Sequence, residues 1–258
     1  MAVVTFMSDF GEEDHYAAAV KAAIFSVNSN QEIIDISHTI KRHDIAHAAY
    51  VIKQVYSSFP EDTVHLIAVD PVIRGLNSLV AVRFHNHYFV THDSGIFSLI
   101  DSHPPETGVE LARESSTFPA RDFLAKAATR LANGENLDSL GTALQLYTRT
   151  DRQLKATKRE IVGQVIRVDH YGNLVTNINR TDFENISTLL GGNPVYRIHF
   201  ARESFPRVHQ NFNEVDDGEC FVLFNAYGHL EIGINKGRAC DLLGLKLETL
   251  VAIEFNPS

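Results

Sequence analysis

Apolar and polar positions alternate along the first half of the chain in blocks that predict strands and helices in turn. An apolar run at Val3, Val4 and Phe6 predicts a buried strand. The polar turn Ser8–Gly11 ends this strand, and helical spacing begins at once. The apolar face of the predicted helix carries Tyr16, Ala19, Val20, Ala23, Ile24 and Val27. The opening of the chain therefore predicts a strand, an acidic turn and a helix.

The same alternation continues through the following residues. Strands are predicted at Glu32–Ile36 and Thr63–Val69, with a helix at Ile45–Val55 between them that Phe59 and Pro60 stop. This order of strands and helices is typical of a parallel sheet with helices on both faces. The remaining elements predicted in this half are strands at Leu79–Phe84 and His87–Thr91 and a helix at Arg121–Ala132.

From about Asp151 the pattern changes to short β-type segments separated by turn residues, without a long helical pattern. These segments are Ile161–Val168, Leu174–Ile178, Val195–Phe200, Glu219–Phe224, Leu230–Ile234 and Leu250–Phe255. Such a succession predicts a small β-barrel or sandwich. The pattern thus predicts an α/β protein: an N-terminal α/β domain with a mostly parallel sheet at 1–150, a linker at 151–160, and a smaller all-β domain at 161–258.

Composition and charge narrow the classes of function. The formal net charge is −9, and basic residues are scattered apart from one cluster at Arg149–Arg159, which argues against nucleic-acid binding. Cys220 and Cys240 are too few for a disulfide framework or a zinc site, which fits a reducing compartment. No apolar run approaches the roughly 18 residues of a membrane span, and no basic segment precedes the apolar start. We therefore expect a cytoplasmic protein that binds neither membranes nor nucleic acid.

Acidic residues follow several predicted strands of the first half. If the strands are parallel, Asp9, Asp35, Asp70 and Asp93 would lie along one edge of the sheet, where α/β proteins bind ligands. Carboxylates suit a cationic or hydroxyl-rich ligand, and also a divalent metal. The sequence lacks an HExxH motif, and its single HxH spacing falls at a predicted hairpin tip, so no metal is predicted. The alternative for Asp9 is a helix cap.

Two stretches of the second half combine turn residues with polar side chains. In VDHYGNLVTNI, Asp169, Tyr171 and Asn173 flank Gly172, so one tight turn would present a carboxylate, an aromatic ring and an amide. In FNAYGHLEIGINKGRA, the corresponding candidates are Asn225, Tyr227 and Asn235. The alternative is that both stretches are ordinary turns rich in turn-forming residues.

A family resemblance emerges when these segments are taken together. They are TFMSDFGEEDHYAAAVKAAI, IDISHTI, VDP, HDSGIFSLI, TFPARDFLAKAA, VDHYGNLVTNI and NAYGHLEIGINKGRA, in this order over nearly the whole chain. The sequence resembles the S-adenosyl-L-methionine (SAM) hydroxide adenosyltransferases, SAM hydrolases that form adenosine and methionine and are similar to the fluorinases and chlorinases. The resemblance implies a C-terminal β-barrel and a homotrimer. SAM is then a substrate bound between neighbouring subunits, and no cofactor is implied.

The resemblance also implies roles for individual residues. Asp9 would hold the ribose hydroxyls, and Asp169 would take the methionine ammonium. Tyr171 stands where the family usually has a phenylalanine against the ligand, and Asn173 and Asn235 match positions near the adenine. These residue types suit the task, because a carboxylate bridges a diol or pairs with an ammonium, and an aromatic face stacks on a purine.

The catalytic positions match the family only in part. Asp70 matches the carboxylate of the water-using members, which halide-using members replace with tyrosine. In the hydrolases it works with an arginine seven residues later and a histidine in a TFHGRD segment, but here those positions are Asn77 and Pro119. Arg74 lies three residues before the expected arginine position, so it would reach the same place only if the loop had a different conformation. The expected function is slow SAM hydrolysis, and the alternative is a SAM- or adenosine-binding protein that has lost turnover.

Overall fold

The computed structural model describes residues 2–69, 78–112, 115–144, 146–147, 154–157 and 159–256. The chain divides into two compact units, Met1–Asp151 and Arg152–Ser258. The strands of the first unit are β1 Val4–Ser8, β2 Ile33–Ser37, β3 Val64–Ala68, β4 Leu79–Phe84, β5 His87–His92, β6 Thr107–Leu111 and β7 Gly141–Ala143. Its helices are α1 Tyr16–Val27, α2 Ile45–Val55, α3 Ile96–Ile100 and α4 Ala125–Ala132.

The first unit is a seven-stranded sheet in the order β2-β1-β3-β5-β4-β6-β7. Every residue of β1 and β3 is buried, as expected for strands that are covered on both faces. One apolar cluster lies on the face where α1 and α4 pack against each other, and a second lies on the face of α2 and α3. The carboxyl ends of β1 and β3 therefore emerge from the middle of a two-sided core.

The sheet is mixed, whereas the sequence predicts one that is mostly parallel. In the described residues, β1–β2, β1–β3 and β3–β5 pair in parallel, and β4–β5, β4–β6 and β6–β7 pair antiparallel. The reason lies in the turn at His85 and Asn86, whose φ angles are 50° and 63°. A two-residue turn with both φ values positive joins antiparallel neighbours, so β5 returns alongside β4 and lies between it and β3.

The second unit is an eight-stranded sheet in which every pairing between named, described strands is antiparallel. Its strands are β8 Lys155–Ala156, β9 Glu160–Val168, β10 Leu174–Asn179, β11 Val195–Phe200, β12 Glu203–Phe205, β13 Cys220–Phe224, β14 His229–Ile234 and β15 Leu250–Asn256. Seven of them follow the order β12-β11-β15-β9-β10-β14-β13, and β8 pairs with β9. β8 falls within the predicted linker, whose bounds stay a prediction.

The sheet of the second unit is nearly closed. His209, just beyond β12 at one end of the sheet, donates its backbone N–H to Val222 O of β13 at the other end, at 2.6 Å. The Val222 N–H in turn donates to His209 Nδ1 at 3.1 Å. These bonds satisfy part of the edge of β13, which would otherwise be an exposed template for strand pairing.

The second unit also contains helices, which the prediction of an all-β domain omits. They are α5 Arg180–Leu189 and α6 Ala239–Leu242. Ile186 on α5 is buried in the core of the unit, and Phe183 and Leu190 pack against it. Their spacing is helical, but the many polar residues between them hide the pattern among short strands. None of the helices in the described part of the chain combines the length and apolar character needed to cross a membrane.

Candidate functional site

The turn after β1 places the Asp9 carboxylate at the carboxyl end of a central strand. Asp9 Oδ2 accepts the backbone N–H of His43 at 2.9 Å, and His43 Nδ1 lies 3.9 Å from the same oxygen. Gly11 has φ +76° and donates its N–H to His38 O at 2.7 Å, which closes the turn. Helix α1 begins only at Tyr16, with His15 as its N-cap. Asp9 therefore joins two loops at the sheet edge and does not cap α1.

A buried hydrogen-bonded chain supports this turn. Ser8 Oγ and His38 Nδ1 are 2.8 Å apart, and His38 Nε2 lies 3.2 Å from Asp35 Oδ1. Burial favours a raised pKa for Asp35, but hydrogen bonds from Lys21 and His38 outweigh it and hold the pKa below its usual value. Asp35 lies inside β2 and pairs with these two groups. It is thus not one of the strand-end carboxylates, contrary to the sequence prediction.

Asp93 follows β5 as predicted, but it is buried, with an exposed fraction of 4%. Its oxygens accept the backbone N–H of Tyr147 at 3.1 and 3.0 Å. Burial raises the pKa of Asp93, although the hydrogen bond from Tyr147 offsets part of this effect. The contacts assign Asp93 a structural task, which is to hold the end of the first unit to the sheet.

Aromatic rings surround the same end of β1. Phe10, Tyr16 and Phe118 contact one another pairwise, with ring centroids 5.6 to 5.8 Å apart. Pro119 follows Phe118 and precedes a π-helical turn at Ala120–Leu124 that leads into α4. Wide turns of this kind are frequent at functional sites. The sequence prediction names Pro119 but misses the aromatic cluster, whose members are far apart in the chain.

The predicted catalytic residues Asp70, Arg74 and Asn77 lie outside the described residues. The residues on either side of them are described: Val69 is buried, and Ser78 accepts the backbone N–H of Asp93 through its carbonyl oxygen at 2.8 Å. Roles for the three catalytic candidates therefore stay predictions.

In the second unit the predicted tight turn brings Asp169 and Asn173 together. The Asn173 backbone N–H donates to Asp169 Oδ1 at 2.8 Å, and Asn173 Nδ2 lies 3.4 Å from Asp169 Oδ2. Gly172 has φ +84°, and a Cβ there would lie 2.9 Å from Arg238 Cβ. Both the backbone conformation and the close approach therefore require glycine at this position.

Glu231 completes this cluster, and the sequence prediction does not single it out. Its Oε1 accepts from Asn173 Nδ2 and its Oε2 from Asn225 Nδ2, both at 3.0 Å. Burial raises the pKa of Glu231, the charge of Asp169 raises it further, and the two amide hydrogen bonds oppose the shift. A carboxylate between the buried strand residues Leu230 and Ile232 is the sequence signal that would have marked it.

Of the other two predicted ligand residues of the second unit, Asn235 lies elsewhere, whereas Tyr171 belongs to the same turn as Asp169 and Asn173. Asn235 donates its side-chain N–H to Val215 O at 3.0 Å, and its backbone N–H bonds Glu219 O. Tyr171 is 73% exposed, so its ring is available to a ligand or to another surface. The structure thus joins Asp169 and Asn173 by hydrogen bonds, the ring of Tyr171 is exposed on the same turn, and Asn235 bonds a different part of the unit.

Gly233 gives a test of how tightly this cluster is packed. A Cβ there would lie 2.1 Å from Phe221 Cζ and 2.7 Å from Asn173 Oδ1. We expect Gly233→Ala to lower the free energy of unfolding by about 1–3 kcal/mol, the usual cost of overpacking, and to displace the Asn173 amide. Urea unfolding and adenosine titration measure the two effects. Unchanged stability together with unchanged affinity would contradict the packing described.

No group of three or more metal-ligating side chains comes together in the part of the chain that the structure describes. The available polar groups are carboxylates, amides and backbone N–H groups. They are suited to hydroxyl groups, an ammonium and a purine edge.

Both halves of the chain match domain models of one protein family. The model of the SAM hydroxide adenosyltransferase N-terminal domain matches residues 4–141, and that of the C-terminal domain matches residues 163–252. A curated relative from Thermus thermophilus, named (R)-S-adenosyl-L-methionine hydrolase, is 30% identical and is matched over 95% of this chain and 97% of its own. A fluorinase from Nocardia brasiliensis is 26% identical over 73% of this chain and 75% of its own.

Solved structures have the same fold. An uncharacterized conserved protein from Thermotoga maritima aligns with a TM-score of 0.87 at 28% identity, covering 97% of this chain and 99% of that one. A conserved hypothetical protein from Thermus thermophilus aligns with a TM-score of 0.76 at 30% identity, covering 99% and 100%. Since the two domain models together match most of the chain in the expected order, this protein belongs to the SAM hydroxide adenosyltransferase family.

Proposed function

We propose that the protein hydrolyses SAM to adenosine and L-methionine. The observation that carries the proposal is the match over nearly the full chain to relatives named (R)-S-adenosyl-L-methionine hydrolase. In the reaction, the water oxygen bonds to C5′ of the ribose as the C5′–sulfur bond breaks. The sulfonium leaves as the neutral thioether of methionine, and the attacking water loses a proton. SAM is the substrate, and the reaction needs no cofactor.

The substrate contacts that we propose follow the chemistry of each side chain. Asp9 accepts hydrogen bonds from the ribose hydroxyls, and its position at the carboxyl end of β1 supports this role. Asp169 pairs with the methionine ammonium. Asn173 and Asn235 contact the edge of the adenine, and the exposed ring of Tyr171 packs against the ligand.

For catalysis we propose that Asp70 orients the attacking water and that Arg74 or Asn77 assists it electrostatically. Pro119 stands at the position of the family histidine and carries no side-chain proton donor or acceptor. General acid–base assistance contributes about 10²–10⁴ in rate, so its partial loss leaves a slow enzyme rather than an inactive one. The rest of the rate acceleration comes from positioning of the reactants, and the sulfonium is already a good leaving group.

We also propose that the protein acts as a homotrimer in the cytoplasm. The trimer rests on the family resemblance alone. The location rests on composition and is supported by Cys220 and Cys240, which are both free thiols.

The proposed reaction is tested by incubating the protein with SAM in oxygen-18 water and separating the products by chromatography. We expect adenosine with the label at its 5′ hydroxyl, together with methionine. Added chloride or fluoride should give no 5′-halogenated nucleoside. Absence of adenosine above the uncatalysed background would reject hydrolysis.

The second candidate function is binding of SAM or adenosine without turnover. It is favoured by Pro119, because the residue at the start of the π-helical turn cannot exchange a proton with water. Calorimetry separates the two candidates. Binding of SAM without formation of adenosine supports the second, and absence of binding to any adenosine compound removes it.

A further inference from the structure

Glu231 of β14 holds two side-chain amides at once. Its Oε1 accepts from Asn173 Nδ2 and its Oε2 from Asn225 Nδ2, each at 3.0 Å. An ionised carboxylate only accepts hydrogen bonds, so it requires the NH₂ end of each amide to face it. Glu231 therefore requires the NH₂ group of each amide to point towards it.

The orientation of Asn173 follows from where its two amide hydrogens go. Nδ2 bonds Glu231 Oε1 and lies 3.4 Å from Asp169 Oδ2, so both hydrogens face carboxylates. Among the described residues, Asn173 Oδ1 accepts no hydrogen bond. The amide thus offers an acceptor, and not a donor, to any further partner.

We propose that Glu231 is a positioning residue that selects a 6-amino purine over a 6-oxo purine by fixing the Asn173 amide with Oδ1 as the acceptor that no described residue uses. This inference rests on the proposed function, in which Asn173 contacts the adenine. The exocyclic amino group of adenine donates a hydrogen bond to Oδ1. The 6-oxo group of hypoxanthine only accepts, so it would face Oδ1 with two acceptors opposed.

Asn225 explains why the cluster depends on a carboxylate at position 231. Its Oδ1 accepts the backbone N–H groups of Tyr227 and His229, both at 3.1 Å, so this amide cannot turn without breaking two bonds. A glutamine at 231 has one oxygen and one NH₂ group, and one of the two asparagines would meet a donor. Among the described residues, the only other hydrogen-bond partner of the Asn173 amide is Asp169 Oδ2 at 3.4 Å, so Asn173 is the amide that turns.

The test compares the affinities of adenosine and inosine in the wild type and in Glu231→Gln, by calorimetry. We expect the wild type to prefer adenosine. In E231Q the preference should fall about 10-fold, the change produced by the loss of one net hydrogen bond. Glu254→Gln is the matched control, because Glu254 lies on β15 of the same unit with a side chain that is 57% exposed. It should leave the preference unchanged.

A double-variant cycle shows whether Glu231 acts through Asn173. Asn173→Ala should remove the same preference, and adding E231Q to it should change the adenosine-to-inosine ratio no further. Circular dichroism checks that each variant folds. If E231Q does not fold, Glu231→Asp replaces it, because the shorter side chain moves the acceptor oxygens away from Asn173 by one methylene.

Two results would overturn the inference. One is a wild type that binds inosine as well as adenosine. The other is an E231Q variant whose affinities for adenosine and inosine fall by the same factor, which would mean that Glu231 only supports the fold of the turn. A protein that prefers adenosine through Glu231 but forms no adenosine from SAM would contradict the proposed function and leave this inference standing.

Discussion

Asp9→Ala should lower kcat/KM for SAM hydrolysis about 100-fold. A hydrogen bond to a charged group is worth about 1.5–3 kcal/mol, and Asp9 is proposed to accept one from each ribose hydroxyl. Each 1.4 kcal/mol corresponds to a factor of ten. The substitution also releases the backbone N–H of His43, which Asp9 Oδ2 holds at 2.9 Å. Initial rates of adenosine formation at subsaturating SAM measure the effect.

Asp14→Ala is the matched control for this experiment. Asp14 is an exposed carboxylate in the same connection between β1 and α1, so its removal causes the same change in charge. We expect its kcat/KM to stay close to that of the wild type. If the two variants lost activity equally, the general acidity of the connection would matter and the position of Asp9 would not.

Acidification should destabilise the protein through a buried histidine pair in the first unit. His65 Nδ1 lies 2.8 Å from Thr5 Oγ1, and its Nε2 lies 3.3 Å from His87 Nδ1. Burial, together with the charge of His87, lowers the pKa of His65 to about 3. In the unfolded chain a histidine titrates near 6.5, so the unfolded state binds more protons between these values. Stability therefore falls as the pH drops from about 6.5 towards 3.

The size of this effect follows from linkage between proton binding and folding. Each pH unit in that interval costs about 1.4 kcal/mol for one histidine, which gives about 2 kcal/mol between pH 7 and pH 5. His87 adds to the loss, because burial lowers its pKa as well. Urea unfolding at the two pH values measures the difference.

His65→Gln keeps a donor and an acceptor at this position but cannot ionise. We expect this variant to lose about 2 kcal/mol less stability than the wild type between pH 7 and pH 5. His103→Gln provides the comparison, because the His103 side chain is 83% exposed. A wild-type pH dependence in H65Q would show that other groups govern acid unfolding.

The elements with strong periodicity could be predicted from the sequence alone. Strand β1 and helix α1 lie where the apolar run and the helical spacing place them. The turn joining Asp169 to Asn173 was also predictable, because a glycine between polar residues favours a tight reversal. Local signals of this kind depend only on neighbours in the chain.

The order of the strands and the burial of charged groups were harder to predict from the sequence. Periodicity does not say that β5 lies between β3 and β4, although the two-residue turn at His85 and Asn86 already indicated an antiparallel pair. Asp35 and Asp93 follow the same pattern in sequence. Asp35, however, lies inside β2 and pairs with Lys21 of α1, whereas Asp93 is buried and accepts the backbone N–H of Tyr147. Such differences depend on contacts between residues far apart in the chain.

The π-helical turn at Ala120–Leu124 has a consequence for how this fold tolerates changes in length. A π turn holds about one residue more than an α turn, so a chain shortened by one residue there could still enter α4 with the same buried face. Ala125, Ala128 and Ala132 would keep their contacts with the core. A deletion of one residue at this point is thus absorbed locally, while the helix behind it stays in place.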